Sequence, residues 1–251
     1  MIKYEWRTSL DPQEAAELAD LLDRAARHDA EAEHNTIDVS DVARTLTSEN
    51  VRHLVIWMLP YATALAAADE PERIAGLVRV VGGAGGAAEV TAVIDPDLRS
   101  IGIMTLLVEQ TGVDSPAPLR AWARGNHPAA GRISKRFLIP ADQRVWKLIR
   151  PVDHTDLAPE TVEGTFRLGP NPSTSEEFGE YLTIDEFRPA PGTDAAGLRG
   201  LLDSAAAAAA GAGSNAVALH VDSGDRALVN ACRLTGFQHD RTDVCYRIGA
   251  P

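Results

Sequence analysis

The sequence predicts an α/β protein on a mixed sheet, arranged as two tandem units of which the second is truncated and degenerate. Three observations point there. Of 251 residues, 45% are hydrophobic but only 5% aromatic, so a sizeable core is built mostly from Ala, Val, Leu and Ile. Strand-like and helix-like runs follow the order strand, proline turn, helix, strand, helix, strand in both halves. Aligned on their prolines, "PDLRSIGIMTLL" (96–107) and "PGTDAAGLRGLL" (191–202) share Pro, Gly and a leucine pair, a weak internal repeat.

Residues 2–7 alternate and read as a first strand. Residues 9–34 read as a helix: Asp11 precedes Pro12, acids follow, and Leu and Ala recur at helical spacing. Residues 40–47 form a weaker helix with Ser40 as its cap. The run 51–60 fits a buried strand or a helix. Residues 62–69 and 73–81 flank "EPE" and read as a hairpin, and 82–88 as a turn. Then come a strand (89–94), a helix (100–111), a strand (119–125), a helix (128–138) and a strand (144–152). The polar segment 153–164 reads as a linker between an N-terminal domain (1–152) and a reduced C-terminal domain (165–251). The latter offers strands at 165–169, 180–187, 215–222 and 241–248, with helices at about 194–210 and at 225–236.

The net charge is −12, and both halves are acidic: 17 basic against 21 acidic residues up to position 150, and 7 against 15 beyond it. Long-range repulsion from phosphate backbones argues against a nucleic-acid partner. The longest apolar run, 54–68, is broken by Pro60 and falls short of the ~20 residues a bilayer needs, so no membrane partner is expected. The two cysteines, Cys232 and Cys245, form no CxxC or zinc pattern. Together with the absence of an apolar signal core, they fit a cytoplasmic protein. No metal is expected: His28 and His34 are six apart and lie on different faces of a helix. "GGAGG" (82–86) lacks a GxGxxG register and leads into a strand, which excludes dinucleotide and P-loop readings.

The chemistry concentrates at "AVIDPDLRSIGIMTLL" (92–107), where a strand hands over to a helix. A helix N-terminus carries unpaired amides and a positive dipole end. Gly102 lets backbone approach a ligand closely, and Arg99 adds a fixed charge beside it. Together they make an anion cradle, or else an ordinary corner with Arg99 in solvent.

The pattern P-x-x-R-x-x-G-x-x-x-L-L at 96–107 resembles motif A of the GCN5-related N-acetyltransferase (GNAT) superfamily. Residues 217–248 resemble its motif B and last strands, and the two-copy layout most resembles the mycothiol synthases. The resemblance implies an acetyl-CoA-dependent N-acetyltransferase acting on a small-molecule amine through a direct ternary complex. It also implies that Val93, Ile94, Arg99, Ser100, Ile101, Gly102, Ile103, Met104 and Thr105 contact the cofactor. Glu89 or Glu180, at strand starts, would take the amine proton; Cys232 or Tyr246 would return one to the thiolate.

Departures from the pattern are as informative. Met104 stands where Gly or Ala is usual, and Ile133 and Cys232 take the motif-B tyrosine positions. Asp194 takes the Arg/Gln position of the second copy, where it would repel pyrophosphate, and Arg199 takes the last glycine position. These leave a second reading, a catalytically inactive tandem scaffold that senses acyl-CoA or binds a protein. A homodimer is compatible with either.

Overall fold

The computed structural model of the chain describes residues 2–30, 32–59, 72–82, 86–111, 118–153 and 164–249. They divide into two compact units: residues 1–142 with 244–251, and residues 143–243. The first division thus falls ten residues before the expected boundary at 152, and the last residues of the chain return to the first unit. Most of the expected linker, 154–163, lies outside the described residues.

In the first unit the sheet runs in the order β1 (Ile2–Arg7), β2 (Val51–Met58), β3 (Arg73–Val81), β4 (Ala88–Ile94), β5 (Leu119–Ala123). The end of the chain's last strand (244–248) then pairs antiparallel with β5. β1 to β4 are antiparallel neighbours, whereas β4 and β5 are parallel. Helix α1 (Pro12–Asp29) opens with a capping box. Asp11 accepts from the Glu14 amide at 2.8 Å, and Glu14 accepts from the Asp11 amide at 3.0 Å. The cap of α2 (Val39–Thr45) is Asp38, not Ser40; the Asp38 carboxylate accepts from the Ser40 amide at 2.7 Å.

The run from Val51 resolves as strand because it is covered on both faces. Val55 and Trp57 pack with Leu18, Leu21 and Leu22 of α1; Leu54 and Ile56 pack with Ile103 and Leu107 on the other face. β3 pairs with β2 on one side and β4 on the other; the first arm of the expected hairpin, 62–69, lies outside the described residues. α3 (Ile103–Thr111) and α4 (Pro128–Phe137) complete the unit.

The second unit carries β6 (Ala141–Pro151, from residue 143 onward), β7 (Gly164–Leu168), β8 (Ser173–Ser175), β9 (Gly179–Pro189) and β10 (Ala216–Asp222). Their order is β6-β10-β9-β7, with β8 also on β9. α5 (Ala195–Gly211) and α6 (Arg226–Leu234) pack there through Leu202, Ala205, Ala206, Ala209 and Cys232. β8 was not foreseen. The strand closing the chain is β11 (Gln238–Ile248), three residues longer at its start than expected.

Candidate functional site

In the first unit β4 and β5 pair only over Ala88–Val90 and Leu119–Ala121. β4 then continues to Ile94 and β5 to Ala123, so the strands part and leave backbone without a strand partner between them. The Asn35 side chain occupies part of that opening: its amide nitrogen donates to the Trp122 carbonyl at 2.8 Å, and its oxygen accepts from the Arg124 amide at 2.9 Å. The opening leads into a cavity of about 1270 Å³, lined on one side by the β4–α3 turn and on the other by α4 and β5. It exceeds the ~300–1,000 Å³ usual for one small ligand, leaving room for a long cofactor or for two reactants.

The turn is built by local rules. Asp95 ends β4 and caps a 3₁₀ turn at Pro96–Leu98, accepting from the Asp97 amide at 3.0 Å. Ser100 (φ 68°) and Gly102 (φ 93°) then adopt left-handed backbone. The first helical hydrogen bond runs from the Leu106 amide to the Gly102 carbonyl at 3.0 Å. The Ile103, Met104 and Thr105 amides therefore form the unpaired first turn of α3. A Cβ on Gly102 would meet nothing within 4 Å, so the backbone there faces open space. Amides at a positive helix end, bared by a glycine and facing a cavity, suit a phosphate-bearing ligand.

Arg99 lines the cavity and is also engaged within the protein. Its terminal nitrogens donate to both oxygens of Asp29, at 2.6 and 2.7 Å, and its Nε donates to the Ile94 carbonyl at 3.2 Å. The guanidinium ties α1 to the end of β4 and holds the cradle in shape, with its donors largely committed to protein. Asp29 is 3% exposed. Burial opposes its ionisation, but hydrogen bonds from Arg99 and His28 outweigh that and hold the carboxyl below its ordinary pKa.

Val93, Ile94, Arg99, Ser100, Gly102, Ile103, Met104 and Thr105 all line the cavity. Ile101 does not and is 56% exposed. Met104 is partly buried and packs against the core cluster that includes Leu98 and Leu107. Tyr246 lines the cavity, as does Ile133. Glu89 lies at the opposite end of β4 from the opening, exposed and off the cavity wall. Glu180 is exposed on β9 in the second unit. Cys232 is fully buried in that unit's core; burial, then Asp225, push its thiol up to about 12, so it stays protonated and unreactive.

Among the wall residues that sequence reasoning did not assign to the site are Asp29, His34 and His127. His34 Nδ1 lies 2.9 Å from the Arg124 carbonyl. His127 caps α4, its Nδ1 accepting from the Ala129 amide at 3.1 Å. The two rings meet edge to face with centroids 4.4 Å apart. Burial, then His34 and Arg99, lower the His127 pKa below its ordinary value.

The turn corresponding to the cradle in the second unit is filled from within. Asp194 accepts from the Ala196 and Gly197 amides at 3.0 and 2.8 Å, so helix α5 starts at Ala195. Ala195 aligns with Ser100, and the left-handed stretch of the first copy is replaced by helix.

No known protein-family model matches the chain. Mycothiol acetyltransferase of Rhodococcus jostii (strain RHA1) is 30% identical over 158 residues, 62% of this chain and 47% of the relative. That of Mycolicibacterium smegmatis is 27% identical over 161 residues, 63% of this chain and 48% of the relative. The chain thus spans about half the length of the curated relatives it matches. Among solved structures, a tandem GNAT protein of the clavulanic acid biosynthesis pathway aligns over 100% of this chain and 99% of its own, with a TM-score of 0.62 at 12% identity. A GCN5-related N-acetyltransferase from Sphaerobacter thermophilus covers 97% of this chain and 95% of its own, with a TM-score of 0.57 at 14% identity. The parted strands, the glycine-bearing cradle and these likenesses agree: the chain has the fold of the GCN5-related N-acetyltransferases in tandem form, and its sequence is similar to that of the mycothiol acetyltransferases.

Proposed function

We propose that the protein is an acetyl-CoA-dependent N-acetyltransferase whose first unit binds the cofactor and acetylates a small-molecule primary amine. The observation that carries this reading is the opening between β4 and β5 beside the bared first turn of α3, both on one cavity. The cofactor, when bound, supplies an activated acyl carbonyl and a thiolate leaving group. The Ile103, Met104 and Thr105 amides would hold its pyrophosphate. Backbone freed at Thr91–Ile94 would bind the pantetheine arm and orient the carbonyl. The apolar walls, Val90, Ala92 and Leu119 among them, would exclude water from the acyl group. Tyr246, on the cavity wall, would hand a proton to sulfur. The similarity to mycothiol acetyltransferases supports an amine acceptor.

Calorimetric titration with acetyl-CoA tests the binding half: one equivalent per chain is expected, and no binding would overturn the reading. Product mass after incubation with acetyl-CoA and cysteinamide, glucosamine or spermidine tests the transfer half. Cofactor binding without transfer to any amine would favour the acyl-CoA-sensing scaffold instead.

A further inference from the structure

We infer that His34 and His127 form a tautomerically fixed pair in the cavity, in which His34 takes the proton of the acceptor ammonium and His127 donates a hydrogen bond to the reacting ligands. This deepens the acetyltransferase reading and rests on it. A carbonyl oxygen can only accept, so the 2.9 Å contact to the Arg124 carbonyl puts the hydrogen of a neutral His34 on Nδ1 and leaves the Nε2 lone pair bare. A backbone amide can only donate, so the 3.1 Å contact from Ala129 strips Nδ1 of His127 and puts its hydrogen on Nε2. Among the described residues neither Nε2 has a hydrogen-bond partner, and both rings line the cavity. One face of the site therefore holds an acceptor and a donor side by side.

The surroundings fix the roles. His127 faces His34, Arg99 and Arg132, with Asp29 as the opposing charge, and it is held neutral. A neutral imidazole gives up its Nε2 hydrogen only as a hydrogen bond, so His127 orients or polarises and does not act as an acid. Asp29, linked electrostatically to His34, stabilises the imidazolium that forms when the bare Nε2 takes a proton. The protons and electron pairs balance with Tyr246 as the relay to sulfur. The ammonium gives one proton to Nε2 of His34, and the freed nitrogen pair forms the bond to the acyl carbon. The carbon–sulfur pair leaves on sulfur, and the nitrogen's second proton ends there. One proton per turnover leaves His34 for solvent.

Asparagine separates this role from a structural one, because its short amide can keep the Nδ1-side hydrogen bond while deleting Nε2. Long-range ¹H–¹⁵N spectra of the free wild-type chain at pH 7.5 should show His34 as the Nδ1–H tautomer and His127 as the Nε2–H tautomer. Matching tautomers in the two rings, or a charged His34, would overturn the inference. His34→Asn and His127→Asn should bind CoA within about threefold of wild type. With cysteinamide as acceptor, His34→Asn should lose at least about a hundredfold in kcat together with the acidic limb of the pH profile. A loss below threefold, or an intact acidic limb, would remove His34 from the chemistry. Wild type that fails to bind CoA would overturn the cofactor reading, while the tautomers still report on the pair. Wild type that binds acetyl-CoA yet never acetylates cysteinamide would overturn the proton role assigned here.

Discussion

Asp29→Asn should destabilise the cradle by weakening the acceptor that braces Arg99. Asp29 is 3% exposed, and Arg99, its partner, has a side chain 20% exposed. Asparagine leaves the guanidinium with one weak acceptor where it had a bidentate carboxylate. Breaking a buried ion pair from one side costs about 3–5 kcal/mol, because the surviving charge stays desolvated. For a chain of this size that is a fall of roughly 10 °C in Tm. Arg99→Met should cost a similar amount, and the double variant less than the sum, since it leaves neither charge stranded. Chemical denaturation of the four proteins closes the cycle. The pH dependence follows from the same pair. The folded pKa of Asp29 lies below its unfolded value, so its contribution is present above about pH 4 and is lost as pH falls through the depressed value. Asp29→Asn should remove that acid-sensitive part. Single variants that each cost under about 1 kcal/mol, or strict additivity, would refute the ion pair as the brace of the turn.

Gly102→Ala should lower stability by about 1–2 kcal/mol through its left-handed backbone and weaken acetyl-CoA binding by calorimetry, since the methyl projects into the open space of the cradle. Asp194→Ala should remove the α5 cap at a cost of about 1 kcal/mol by denaturation, while titration still gives one acetyl-CoA per chain. His53 is buried with a pKa lowered by burial and then by Arg79. The unfolded chain binds its proton more readily, so stability should fall as pH drops below about 6.5, and His53→Gln should flatten that slope.

Much of this fold was legible because the relevant signals are local. The Asp11–Pro12–Glu14 start of α1, the alternation in β1 and the proline turn before α3 each follow from a few neighbouring residues. That β3 lies between β2 and β4 was not legible, since it depends on which apolar run reaches the sheet, and β8 is too short to show a period. The open turn before α3 was legible by its glycine, but the partner of Arg99 was not. Its partner Asp29 is 70 positions away and reads as a solvated acid in "HDAEAEH". One signal was available: Leu18, Leu22, Ala25 and Asp29 lie on one stripe of α1, which puts a carboxylate on a buried face. His127 was likewise marked by its place before Pro128 at a helix start, the position of a cap. What set it opposite His34, 93 positions earlier, was the tertiary structure alone.

The central claim is that the first turn of α3 receives the pyrophosphate of acetyl-CoA at the opening between β4 and β5. A crystal structure of the full chain grown with CoA tests it most directly. The account predicts one CoA per chain, its pyrophosphate on the amides of residues 102–105 and its pantetheine arm beside Thr91–Ile94. CoA bound in the second unit at the N-terminus of α5, or bound in the first unit away from α3, would contradict it.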